Sequence, residues 1–157
     1  MKPKHLWSLT KLCFGHPLFV WPTVKATQRC IAVSSQIYDA LHNRNTPANA
    51  FRHALWNYWI AQRAFRWKKD SKRVTDWAKR ITDWHEEFSP NEELAKQMDY
   101  HNNRIGREVF MEHPKMTEEK IVTYFNKMVE ASVMISKIGD LRLHRDSFVH
   151  LIDFPKS

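Results

Sequence analysis

Residues 81–107 read ITDWHEEFSPNEELAKQMDYHNNRIGR, and the fold turns on whether this stretch is a hairpin of two helices. Ile81, Trp84 and Phe88 recur at helical spacing before the SPNE break, as do Leu94, Met98 and Ile105 after it. Ser89, Pro90 and Glu92 give the break the pattern of an N-cap, a first-turn proline and a capping box. The sequence therefore predicts two helices folded back antiparallel. Their polar residues are harder to explain, because adjacent asparagines are poor helix formers.

Working outward, a helix is predicted from Pro22 to about Leu41, with Ile31, Ile37 and Leu41 as its apolar thread. After HNRNTP, Thr46 as N-cap and Pro47 at the first position start a second helix that runs to Phe65. Its apolar line is Phe51, Leu55, Tyr58 and Phe65, and Asn49, Arg52, His53 and Trp56 share an adjacent face. The basic linker RWKKDSKR leads to a third helix over 74–88, and the fourth follows the SPNE break. A fifth spans 118–138, capped by Thr117, with Ile121, Phe125, Met128 and Ile135 inward and Gly139 as its stop. Only three glycines occur, and no run alternates long enough to read as a sheet. Gly106, costly inside a helix at ~1 kcal/mol relative to Ala, predicts a close approach by a neighbouring helix or ligand. The expected fold is one all-α domain of about five mostly antiparallel helices. Residues 1–21 form a basic, aromatic arm, 22–139 the helical core and 140–157 a tail.

The chain has 157 residues, enough for one core without staples. Its formal charge of +8 favours an anionic partner: a phosphoester, a lipid surface or nucleic acid. Two cysteines, Cys13 and Cys30, make neither a disulfide framework nor a metal-ligand spacing, so a reducing cytoplasm is expected. The N-terminal segment is basic and then apolar, but Lys11, Gly15, Pro17 and Pro22 interrupt it, which excludes a signal peptide and a membrane span. An arm packed on the domain is expected there. Peripheral contact with a membrane is the alternative.

The residues able to carry chemistry are Asn49, Arg52, His53, Asp83, His85, Glu86, Asp99, His101, Asn102, Asn103 and Arg107. Carboxylates and imidazoles can hold a divalent metal that generates hydroxide, with Asp83, Glu86, Asp99 and His101 as candidate ligands. A metal-free alternative uses a His/carboxylate pair for general acid and base work. In both, the arginines hold a phosphate. The metal reading lacks HExxH, and His85 and Glu86 point about 100° apart on a helix. The ordinary alternative is a buried polar network, yet such networks are weak contributors to net stability.

Read as NAFRHALW, then ITDWHEE, then MDYHNNRIGR, the chain resembles an uncharacterised all-helical bacterial domain family with FRHAxW, TDxHE and MDxHNNxxGR motifs. Its members also occur as C-terminal modules of secreted, toxin-like proteins. The resemblance covers about residues 17–110 and implies a shared site at Arg52, His53, Asp83, His85, Glu86, Asp99, Asn102, Asn103 and Arg107, without naming a reaction. Trp84 stands where a smaller residue is expected, which would narrow the pocket. The functional expectation is a hydrolase of a phosphate ester or phosphodiester, with a lipid-linked substrate favoured by the N-terminal arm. His53 or His85 would act as acid and base, and Arg52 and Arg107 as clamps. The competing expectation is a non-enzymatic basic module that binds nucleic acid or an anionic membrane.

Overall fold

The computed structural model describes residues 3–155 and is all-α apart from one two-residue strand pair. Among the described residues the helices are α1 (Pro3–Gly15), α2 (Pro17–Tyr38), α3 (Pro47–Phe65), α4 (Ser71–Phe88), α5 (Glu93–Glu112) and α6 (Glu118–Glu130). None of them is long and apolar enough to cross a membrane.

The centre of the molecule is α3. Apart from Arg52, Gln62, Arg63 and Phe65 it is buried along its whole length, as expected of a helix with neighbours on every side. Phe51, Leu55 and Tyr58 are fully buried as the apolar line predicts, each such burial stabilising by about 1.5–3 kcal/mol. The polar stripe Asn49, His53, Asn57 is buried too, so over these turns only Arg52 is partly exposed.

In place of an extended arm, the N-terminal residues form α1 and the first turns of α2. Pro17 occupies the first turn of α2, and Pro22 is absorbed within the helix. The carbonyl that Pro22 leaves unpaired belongs to Leu18, an exposed residue. Ile31 and Ile37, expected inside, are exposed. The buried stripe is instead Ala26, Cys30 and Ser34, small residues at i, i+4 and i+8 that bring α2 close enough for Cys30 Sγ to donate to the Arg52 carbonyl at 3.3 Å. Burial pushes the Cys30 thiol up to about 12, so it packs as a neutral group. Two α2 threonines accept from buried indoles: Trp56 Nε1 donates to Thr27 Oγ1 at 2.8 Å, and Trp77 Nε1 to Thr23 Oγ1 at 2.9 Å.

The hairpin of α4 and α5 forms, but the SPNE capping box does not. Glu92 is the N-cap of α5 and makes no side-chain cap. Ser89 ends α4 and donates its hydroxyl to the His85 carbonyl at 2.8 Å. Asp70, in the basic linker, caps α4 by accepting from the Arg73 amide at 3.0 Å.

The fifth predicted helix is shorter than expected, because the chain leaves α6 at Glu130 and pairs instead. Strand β1 (Val133–Met134) runs parallel to β2 (Val149–His150), and Val133 N donates to Phe148 O at 2.9 Å. On the other side of β2 the Asn102 side chain takes a strand's place. It donates to Val149 O at 2.9 Å and accepts from Val149 N at 3.1 Å. Gly139 lies in a short 3-10 segment and stops no helix.

Gly106 fixes the distance between α5 and α3. A Cβ placed there would lie 2.1 Å from the Ala54 carbonyl oxygen and 2.8 Å from the Ala54 Cα. This is backbone, which cannot move aside as a flexible side chain would. Gly106→Ala is expected to lose about 2 kcal/mol or more in urea denaturation, because the overpacking outweighs the ~1 kcal/mol gain in helix propensity. Gly15, with nothing within 4 Å of the corresponding position, is the control and should tolerate Ala. Equal stability of Gly106→Ala and wild type would show that the helices are not held at this contact.

Candidate functional site

Helix geometry decides which of the candidate residues meet. On α5, Asp99 and Asn103 are one turn apart on the face that Gly106 brings against α3, and on α4 Glu86 shares a face with Thr82. Asn102 lies about 60° round the helix from Asp99 and about 100° from Asn103, outside the arc of that interface, and Asp83 lies about 60° from Glu86. Asp99, Asn103 and Glu86 therefore converge on His53, which is 1% exposed.

The His53 ring is held at both nitrogens. Nδ1 lies 3.1 Å from Asn103 Oδ1 and 3.3 Å from Glu86 Oε1, and Nε2 lies 2.7 Å from an Arg52 guanidinium nitrogen and 3.3 Å from Asp99 Oδ1. A guanidinium only donates, so Nε2 accepts and the neutral ring carries its proton on Nδ1, pointing at Asn103 and Glu86. Arg52 is aimed by a second bond, from its Nε to the His42 carbonyl at 3.0 Å. The same carbonyl accepts from Asn49 Nδ2 at 3.2 Å.

Behind this ring is a support that the sequence reading missed. Asn57, one turn after His53, donates to Asn103 Oδ1 at 2.7 Å, and its own oxygen accepts from Arg107 at 2.7 Å and lies 3.2 Å from the Thr82 hydroxyl. Asn103 in turn donates to Glu86 Oε1 at 3.2 Å. The signal was present as an Asn49, His53, Asn57 repeat at intervals of four, which places three polar groups on one stripe. Asn91, from the connection before α5, also reaches the site and donates to Asp99 Oδ2 at 3.3 Å.

Arg52, His53, Glu86, Asp99 and Asn49 line a polar cleft of about 200 Å³. His85 forms its rim, with its ring edge-on to Trp56 at 5.2 Å. Two buried acceptors there, Asp99 Oδ1 and Asn49 Oδ1, have no hydrogen-bond partner. The remaining candidates lie elsewhere. Asp83 pairs with Lys79 on the outer face of α4. His101 donates from Nε2 to the Ser147 carbonyl at 2.9 Å, and Asn102 is committed to β2. Neither is free for a ligand, because the last segment of the chain occupies that side of α5. Arg107 stands behind the cleft against Asn57, where burial lowers its pKa to about 10 without removing its charge at neutral pH. Trp84 does not narrow this cleft; it faces an apolar groove on the far side of His85.

The two carboxylates differ in charge. Burial raises the pKa of Asp99, with the Glu86 charge adding to it and His53 opposing, and the result is about 6. Burial acts on Glu86 in the same sense but is outweighed by His53, His85 and the Asn103 hydrogen bond, so Glu86 titrates below the usual range. The pair therefore carries one charge readily and the second reluctantly. His53, Glu86 and Asp99 each offer a ligand atom, all within 4.8 Å of one another, a set that can hold a divalent cation. The Arg52 guanidinium, 2.7 Å from Nε2, presents positive charge to the same lone pair, so a cation bound there requires Arg52 to swing away.

No curated protein and no solved structure matches the chain. A family model does match, over residues 10–133, which takes in every side chain of the cleft and well over half of the sequence. The chain belongs to that family, which is described as a domain of unknown function (DUF6973).

Proposed function

We propose that the cleft hydrolyses a phosphate ester or phosphodiester by general acid–base catalysis at His53. The observation that carries this reading is the orientation of one ring. Nδ1 is fixed by Glu86 and Asn103, and Nε2 faces the cleft beside a guanidinium suited to a phosphoryl oxygen. An incoming phosphate draws Arg52 off Nε2. The freed lone pair takes a proton from water as that water attacks phosphorus, and the adjacent Glu86 charge stabilises the imidazolium. Asp99, which keeps its proton up to about pH 6, is placed to give it to the leaving oxygen. The balance is one water consumed and one P–O bond exchanged for P–OH and the released alcohol. Asp83, His101, Asn102 and Arg107 have no direct part in this scheme. The toxin-like setting that the motif resemblance implies for related domains fits a hydrolase but does not make this chain a toxin.

His53→Ala and Glu86→Ala, checked for folding, are expected to lose turnover of a phosphoester panel by about a hundredfold or more. Turnover equal to wild type in both would sink the reading. A divalent cation found stoichiometrically in the purified protein, with activity lost on chelation and restored by that cation, would recast His53, Glu86 and Asp99 as ligands. The rival reading, a basic module binding anionic polymers through the exposed Lys68, Lys69, Lys72 and Arg73 around the α4 cap, predicts steeply salt-dependent binding that survives Glu86→Ala.

Asp99 separates function from structure in a second way. Its pKa rises from an ordinary 3.8 to about 6 on folding, so the folded chain binds the proton more tightly than the unfolded one. The stability this contributes is fully present below about pH 4 and is lost as pH rises through about 6. Asp99→Asn removes the loss, because the amide has no charge to bury. The variant is expected to be more stable than wild type at pH 8, by up to about 3 kcal/mol, and near wild type at pH 4, while turnover falls. A purely structural Asp99 predicts destabilisation at pH 8, measurable by urea titration.

A further inference from the structure

Beyond His85 lies a second cavity of about 410 Å³, walled by apolar side chains of α1 to α4, among them Leu9, Val20, Ile31, Trp56, Ile81 and Trp84. His85 borders both this groove and the polar cleft, so the two meet at one residue. At its other end the groove shares Leu9, Cys13 and Val20 with a shallow apolar cleft that also takes in Phe14 and Pro17. The surface there exposes Phe14 (82%), Leu18 (61%) and Trp21 (60%) on adjoining turns of α1 and α2. Lys11 sits 5.2 Å from the Trp7 ring and Lys25 4.6 Å from the Trp21 ring, which puts cations at the edge of this apolar face. A groove of this size is in the range of small-molecule sites, and an apolar run that reaches His85, with the Arg52 guanidinium lining the polar cleft on the other side of that residue, is complementary to an amphiphile with a negative head.

We propose that the groove receives the hydrocarbon tail of a lipid phosphoester, with the tail entering past Phe14 and Trp21, the phosphate at Arg52 and the scissile bond facing His53. The assignment of the head group rests on the hydrolase reading; the tail site does not. The exposed rings would sit in the interfacial layer of a membrane, and Lys11 and Lys25 would face its anionic head groups.

The test uses the full chain and alkyl phosphonates of four, eight and twelve carbons below their micelle concentrations. These keep an anionic head and lack the scissile P–O–C bond. Titration calorimetry is expected to show affinity rising about two- to fourfold per methylene. Ile31→Glu and Val24→Glu place a charge in the groove at half-exposed positions, where folding should tolerate it. Each is expected to weaken dodecylphosphonate binding at least tenfold and to leave inorganic phosphate binding unchanged. Affinity independent of chain length, or unaltered in both variants, overturns the proposal. Turnover is measured separately on a soluble aryl phosphate and on phosphatidylglycerol vesicles. Chain-length-dependent binding with no turnover of either substrate refutes the hydrolase reading and leaves the tail site standing. Turnover of the soluble ester alone, with no chain-length effect, does the reverse.

Discussion

The contact of Gly106 with the backbone of Ala54 is the constraint on which the rest depends. Where α5 meets α3 there is no room for a single methyl group, so the helices approach to backbone contact. Only at that separation can Asp99 and Asn103, two turns and one turn earlier on α5, bring short side chains to within 3.3 Å of His53. A wider spacing would leave their oxygens out of hydrogen-bond range of the ring and open the buried stripe of α3 to water. The glycine thus sets the geometry of a site to which it contributes no atom.

Burying so many polar groups around one helix opposes folding unless each finds a partner, and most do. Asn57 and Asn103 form a chain from Arg107 through Asn57 and Asn103 to Glu86, in which every donor meets an acceptor. Away from the cleft, Arg63 Nε near the end of α3 and His42 Nδ1 before its start are without a hydrogen-bond partner; in the cleft the exceptions are Asp99 Oδ1 and Asn49 Oδ1. A network selected for stability alone would satisfy these atoms or replace them with apolar groups, which is often neutral or favourable. Satisfied polar groups behind the ring and two open acceptors in front of it are what the proposed ligand site would require.

Much of this was legible in the sequence, and the failures have identifiable causes. The apolar lines Phe51 to Phe65, Val74 to Phe88 and Leu94 to Ile105 each marked a real helix, and the line from Ile121 to Ile135 marked one that ends early, at Glu130. Arg52, His53, Glu86, Asp99 and Asn103 were named and do converge. Asp83 and Asn102 were grouped with them because residues three apart share a face only loosely: Asn102 sits about 60° round from Asp99 and turns to β2, and Asp83 sits about 60° round from Glu86 and pairs with Lys79. The α2 thread was misread because large apolar residues were expected inside. Ala26, Cys30 and Ser34 are there instead, since close helix packing favours small side chains. The strand pair could not be read from two-residue runs. It depends on Asn102 acting as a third strand, a tertiary interaction with no local pattern.

Arg52 ties these features together. Its backbone carbonyl accepts from Cys30, its Nε is held by the His42 carbonyl, and its outer nitrogen rests on His53 Nε2. The guanidinium therefore occupies the one lone pair of the neutral ring, at Nε2. In the proposed reaction a phosphate would compete for the same guanidinium through a bidentate bond between opposite charges, stronger than the bond from the guanidinium to a neutral ring nitrogen. On that proposal, binding the anion and baring the base are one event. On the same proposal a phosphate that reaches Arg52 would activate the ring, whereas water, which carries no charge to draw Arg52 away, would not.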